Sequence, residues 1–257
     1  MIHPQAIVDP TAEIADDVEI GPFCVIEADV VIGEGTRIGS HTVVRGPTRL
    51  GRGNRLFSFS SIGEGPQDLK YAGEATRLEI GDRNIIREYV TLNRGTADGS
   101  GVTHIGSDNL FMAYSHVAHD CTVGDRTVFA NAASLAGHVD VGDWAILGGF
   151  TCVHQFCRIG PHSFSGLGSV ITRDVPPFVT VAGNHARSYG LNRNGLKRRG
   201  FEPEAIRALH RAYRVLVKSR RSLGDEARVE IDALADEYPE VRQFRDFVQD
   251  GQRGIVR

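Results

Sequence analysis

The chain has 257 residues, 41% of them hydrophobic, which is enough for a sizeable core in one large domain or two small ones. A net charge of −3 argues against a general nucleic-acid binder, and no apolar run approaches the length of a membrane span. The start, Met1-Ile2-His3-Pro4-Gln5, lacks the regions of an export signal, and Cys24, Cys121, Cys152 and Cys157 do not form a disulfide framework, so reduced thiols in the cytoplasm are expected.

From Val8 every sixth residue is aliphatic: Ile14, Ile20, Ile26, Ile32, Ile38, Val44, Leu50, Leu56 and Ile62. The phase breaks at Asp68 and returns at Ile80, Ile86 and Leu92. After a slip of one residue it runs again from Ile105 through Phe111, Val117, Val123, Phe129, Leu135, Val141, Leu147 and Val153 to Ile159. Neither strand alternation nor helical spacing gives a strict period of six. A triangular parallel β-helix does: each hexad is one short side, the aliphatic residue points inward, and three hexads close a coil. About eight coils at about 4.8 Å each are expected. A glycine often follows the aliphatic residue, as at Gly21, Gly33, Gly51 and Gly106, and is expected to permit the tight corner. The fifth position is often small, as at Cys24, Thr36, Thr42 and Ser60.

Two stretches interrupt the period. Residues 64–73 combine turn formers with Gln67, Asp68, Lys70 and Tyr71, and Lys70 suits a phosphate. Residues 95–101, Gly-Thr-Ala-Asp-Gly-Ser-Gly, read as a flexible surface excursion. The repeat is expected to end near Asp174-Val175-Pro176-Pro177, since paired prolines cannot continue a ladder. From Pro203, Ile206, Leu209, Tyr213, Leu216 and Val217 recur at helical spacing. Gly224-Asp225 separates a second helix over about 226–237, and Pro239 opens a third. The chain therefore divides into a β-helix over 1–188 and a helical part over 189–257. The helical part opens with a basic run that includes Lys197, Arg198, Arg199, Arg207, Arg211, Arg220 and Arg221. Such a run is a solvated face or a patch for a nucleotide diphosphate or an acidic carrier protein.

An 18-residue coil stacks residues 18 apart. One column then reads His119, Gly137, Gln155 and its neighbour Asp120, His138, Phe156, with His154 beside Gln155 and His116 three residues before His119. His119 with an adjacent carboxylate suits a general base whose tautomer a partner fixes, and Gly137 leaves a backbone N–H accessible to an oxyanion. This constellation suits acyl transfer to a hydroxyl without a nucleophilic Ser or Cys. The rival reading of the clustered histidines is a zinc site, as in a hydratase on the same scaffold.

Six motifs carry a resemblance over nearly the whole chain: residues 67–73 (Gln-Asp-Leu-Lys-Tyr-Ala-Gly), 118–124, 135–139, 153–156, 183–186 and 195–201. The chain resembles the UDP-N-acetylglucosamine O-acyltransferases of lipid A biosynthesis, a hexapeptide-repeat family. The resemblance implies a left-handed β-helix with a small α-helical C-terminal part. It implies transfer of a 3-hydroxyacyl group from acyl carrier protein to the sugar 3-hydroxyl, with no cofactor and no metal. It implies His119 as base, Asp120 as its orienter and Gly137 as oxyanion donor. Gln67, Asp68, Lys70, His116 and His138 would hold sugar, diphosphate and acyl hydroxyl; His154, Gln155, Asn192, Arg198 and Arg199 the nucleotide end; His185 would lie near the acyl and sugar groups. A homotrimer with sites between subunits is implied. N-acylation of an amino-sugar analogue is the alternative within the same chemistry. Two departures stand out. Asn194 replaces a frequent Glu near the nucleotide. Leu167 stands where the family ends the acyl groove, and as a buried bulky residue it would favour a medium chain, near decanoyl to dodecanoyl.

Overall fold

The computed structural model describes residues 1–218, 225–251 and 253–257; Arg220, Arg221 and the Gly224 turn lie outside the described residues. Among the described residues twenty-seven short strands, β1 (Ile7–Val8) to β27 (Arg187–Leu191), form three sheets of nine, eight and ten strands. Each sheet takes every third strand, except that the ten-stranded sheet ends β24-β26-β27 with an antiparallel last pair, and the chain winds as a left-handed parallel β-helix of triangular section. Pairing holds the expected offset, as His116 sits on Ser134 and Ser134 on Cys152. Its inward residues, among them Ile26, Ile62, Leu92, Phe111 and Phe129, are fully buried. Each such side chain stabilises the fold by about 1.5–3 kcal/mol.

The nine-stranded sheet exceeds the roughly eight coils expected, because the aliphatic step understates the prism's length. Ser165 takes the inward position after Ile159. It is buried, and its hydroxyl lies 2.8 Å from that of Thr151 and accepts from Gly148 N–H at 3.1 Å, so a polar residue sits there without an unmet partner. Nor do the prolines end the ladder. Pro176 and Pro177 fall between Val175, which bridges Ile159, and a corner at Phe178; β26 (Val179–Ala182) then pairs with β24 (Phe164–Ser165).

The corners also differ from expectation. Left-handed backbone falls three residues after the inward aliphatic, on Phe23, His41, Phe59, Asp120, His138, Phe156 and others, with φ near +60°. The glycines after the aliphatics serve close stacking instead. A Cβ on Gly106 would meet the Gly124 carbonyl oxygen at 2.7 Å, closer than a side chain tolerates. Side chains of the corner residues stack in columns, which holds a conformation that non-glycine residues otherwise avoid. Phe23, His41, Phe59, Tyr89 and Tyr114 form one ladder with centroids 4.9 to 5.3 Å apart. The small fifth-position residues tie the coils together: Thr36 and Thr42 each donate to a carbonyl of the next coil at 3.1 Å.

Helices follow the prism: α1 (Arg193–Arg198), α2 (Pro203–Tyr213) continued by a π-helical turn over Arg214–Lys218, α3 (Asp225–Glu237) and α4 (Pro239–Gln249). Pro203 and Pro239 occupy first turns, where a missing N–H costs nothing. α1 was not visible as a period; its signal is local, since Asn192 caps it by accepting from Gly195 N–H at 3.1 Å.

Candidate active site

Both interruptions and the histidine motifs leave the same sheet. Loop 64–76 follows β10 (Ser61–Glu64), loop 94–101 follows β13 (Thr91–Asn93), and the His119, His138 and His154 turns follow β16 (His116–Val117), β19 (Ser134–Leu135) and β22 (Cys152–Val153), which are successive neighbours. One edge of the prism therefore gathers both interruptions and the histidine turns.

On that edge the His119 Nδ1 lies 2.8 Å from Asp120 Oδ2. A carboxylate only accepts, so Nδ1 carries the proton and Nε2 keeps its lone pair. Burial pushes the Asp120 carboxyl up, but hydrogen bonds from Thr96 and His119 outweigh it and hold the group below the usual carboxylate range. Its side chain is 1% exposed, so its charge needs protein donors. Loop 95–101 supplies them. Thr96 donates from N–H at 3.1 Å and from Oγ1 at 2.6 Å, and Ser100 from N–H at 3.0 Å and from Oγ at 3.2 Å. The loop read as a flexible excursion is thus the cradle of the Asp120 carboxylate. Its alternating small and hydroxyl residues were the available signal.

The His119 ring lies directly over Gly137. A Cβ there would stand 2.5 Å from Cε1 and 2.6 Å from Nε2, so only glycine admits this imidazole position. Among the described residues the Gly137 N–H meets no acceptor, while its carbonyl accepts from Phe156 N–H at 3.2 Å. His138 meets His119 edge-on at 5.0 Å, stacks on Phe156 at 4.5 Å, and brings Nε2 to 3.9 Å from Asp120 Oδ2. His116 lies three residues before His119, its Nδ1 2.7 Å from Thr91 Oγ1, and burial pushes its pKa below the ordinary imidazole value.

His154 and Gln155 are exposed on the same edge, and exposed His185 lies 3.3 Å from Thr172 Oγ1. Gln67, Asp68 and Lys70 ride on the outer loop, where Asp68 accepts from Lys70 N–H at 3.0 Å; among the described residues none bonds to the histidine cluster. Asn192 and Arg199 belong to a different corner column. Asn192 donates to His162 O at 3.0 Å, while Arg199 donates to Trp144 O at 2.8 Å and stacks over the Trp144 ring. Arg198, beside them on α1, is exposed. Leu167 is 77% exposed, against the expectation of a buried side chain, and its Cδ1 approaches Gly149 on a corner that carries exposed Phe150. It is uncovered because it sits at a turn tip, outside the coil's interior.

A histidine bonded to a carboxylate on a β-helix edge, with that carboxylate cradled by a loop and a backbone N–H beside the ring, fits an acyltransferase of the hexapeptide-repeat class. Residues 11–46 match the bacterial transferase hexapeptide family, and residues 174–256 match the family described as UDP-N-acetylglucosamine O-acyltransferase, domain 2. The acyl-[acyl-carrier-protein]–UDP-N-acetylglucosamine O-acyltransferase of Thiobacillus denitrificans is 61% identical over 256 residues, covering 100% of this chain and 99% of the relative. The structure of LpxA from Acinetobacter baumannii aligns with a TM-score of 0.95 at 46% identity, covering 100% of this chain and 99% of that one. The Moraxella catarrhalis UDP-N-acetylglucosamine O-acyltransferase gives 0.96 at 45%, with coverage of 100% and 99%. The chain belongs to the UDP-N-acetylglucosamine O-acyltransferase family.

Proposed function

We propose that this enzyme transfers a 3-hydroxyacyl group from the thioester of acyl carrier protein to the 3-hydroxyl of UDP-N-acetylglucosamine, the first step of lipid A biosynthesis, in the cytoplasm. His119 Nε2 takes the hydroxyl proton as the sugar oxygen attacks the thioester carbon. The Gly137 N–H steadies the tetrahedral oxyanion. Collapse expels the carrier's thiolate, which recovers the proton from the imidazolium. Asp120 holds the ring and stabilises its charge. The observation that carries this reading is the 2.8 Å contact between His119 Nδ1 and a carboxylate already saturated by Thr96 and Ser100, which leaves Nε2 as the free base. His119, Asp120 and His138 also offer ligand atoms within 4.8 Å of one another, close enough for a metal. The saturation of Asp120 by protein donors favours orientation over ligation, and family membership sets the hydratase alternative aside.

Gln67, Asp68, Lys70, His116 and His138 hold the sugar, diphosphate and acyl hydroxyl. His154, Gln155, Asn192, Arg198 and Arg199 hold the nucleotide end, and His185 lies near the acyl and sugar groups. Because His119 and Arg199 occupy different edges of one prism, the working unit is a homotrimer that joins edges of adjacent subunits. In it Leu167, uncovered in a single chain, ends the acyl groove and selects a medium chain. Residues 1–188 carry the chemistry. Residues 189–257 cap it and present a basic cleft lined by Arg193, Lys197, Arg207, His210 and Arg211, which suits the acidic carrier. The test is to incubate the protein with UDP-N-acetylglucosamine and a panel of 3-hydroxyacyl carriers and weigh the products. A decanoyl or dodecanoyl ester is expected; no ester from any carrier defeats the proposal.

A further inference from the structure

The last residues of the chain do not end on the helical cap. After α4 the chain returns to the prism, where Ile255 forms a parallel bridge with Asp174. Asp174 N–H donates to Gly254 O at 3.0 Å and Val256 N–H to Asp174 O at 2.9 Å, and Ile255 and Val256 are buried. A charged clamp fixes this route. Asp174 accepts from Arg158 Nε at 3.0 Å and from its N–H at 2.9 Å. The same guanidinium donates to Phe247 O at 2.9 Å and lies over the Phe247 ring. Asp174 is almost wholly buried, so removing either partner strands a charge. Gly254, at φ +68°, turns the chain between the buried pair and exposed Arg253.

That turn brings Arg253 to the catalytic edge. Its guanidinium lies 3.4 Å from His154 Nδ1 and lines a cleft of about 530 Å³ together with His138 and Phe156. Among the described residues Arg253 has no carboxylate within 4 Å, whereas Arg158 in the same cleft is paired with Asp174. Exposed Asp140 and Asp250 also line the cleft and repel an anion on their side of it. The available face of Arg253 is therefore the one toward His154.

We infer that Arg253, carried to the catalytic edge by the C-terminal tail, binds a phosphate oxygen of a substrate beside His154, with the Arg158–Asp174 pair as the clamp that positions the tail. A guanidinium without a counter-ion next to an imidazole is a phosphate-binding arrangement, and hydrogen bonds to a charged acceptor are the strong kind. Both substrates of the proposed reaction offer that chemistry: the sugar nucleotide as a diphosphate and the carrier's pantetheine arm as a phosphodiester. The inference rests on the assignment of His119, His138 and His154 to one substrate edge.

The test uses Arg253→Gln, which keeps a polar N–H donor on a shorter side chain and removes its charge, in the full-length enzyme. KM is measured separately for UDP-N-acetylglucosamine and for the 3-hydroxyacyl carrier, and UDP affinity by calorimetry. One KM is expected to rise about tenfold with kcat within about twofold, and Arg253→Lys to fall between Gln and wild type. A parallel loss of UDP affinity assigns the diphosphate; a raised carrier KM with unchanged UDP affinity assigns the pantetheine phosphodiester. Both KM values within twofold of wild type, or a loss confined to kcat, overturns the inference. Failure of the base assignment is read elsewhere, in the kcat of His119→Ala, and leaves UDP affinity as an independent measure of Arg253.

Discussion

Gly137→Ala isolates what the glycine does for the base. The new Cβ would stand 2.5 Å from His119 Cε1 and 2.6 Å from Nε2. Ordinary contact between such atoms begins near 3.5 Å, so the ring must retreat by about 1 Å. Asp120 cannot follow, because Thr96 and Ser100 hold its carboxylate from both sides. The ring then either loses the 2.8 Å bond to Asp120 or swings Nε2 off its line to the sugar hydroxyl. A misplacement of this size costs on the order of 100-fold in rate. Alanine keeps the backbone N–H, so the loss reports the ring's displacement and not a missing oxyanion donor. The assay is kcat/KM by product mass, with Tm as control; Tm should stay within a few degrees because the clash falls on the prism edge. Activity within about threefold of wild type would refute the reasoning.

Other expectations follow from the same geometry. Thr96→Val removes the 2.6 Å hydroxyl bond to a buried carboxylate. It should cost about 1.5–3 kcal/mol in stability, with Tm lower by roughly 3–12 °C and reduced kcat; an unchanged Tm and kcat would show that the cradle is dispensable. Burial and the Arg199 charge push His162 down to about 4 from its ordinary 6.5. The unfolded chain therefore takes up a proton that the folded one refuses, and stability declines as pH falls from about 6.5 toward about 4. Melting curves across that range should flatten for His162→Phe, which preserves the stack between Trp144 and Phe178; an identical slope would exclude His162 as the cause. Leu167→Gly should shift the preferred acyl chain longer in competition assays, and an unmoved profile would remove Leu167 from that role. Co-expressing His119→Ala with Arg198→Ala chains should give hybrids more active than either parent if sites join subunits. No recovery would confine each site to one chain.

The architecture was legible because the inward position of a hexad repeats, and a period reports whatever points the same way at fixed spacing. Ile62, Leu92 and Val117 could therefore be placed from the sequence, and so could Gly137 beside His119. Features that the period does not carry were hidden. Ser165 breaks the aliphatic rule yet fills an inward position, because its partner Thr151 comes from the preceding coil. Loop 95–101 looked idle because its partner, Asp120, lies about one coil further on, and a hydrogen bond over that distance leaves no spacing to read. The glycines after the aliphatics suggest backbone freedom, but their reason is the carbonyl of the next coil. Leu167 could be assigned a groove only by resemblance; the prism leaves it at the surface. The tail that delivers Arg253 has no period, and only its contacts with Arg158 and Asp174 reveal the path.

The central claim is that His119 is the base. Turnover of UDP-N-acetylglucosamine with a 3-hydroxyacyl carrier should vanish in His119→Ala while Tm and assembly match wild type. Substantial residual turnover in a correctly folded variant would contradict it.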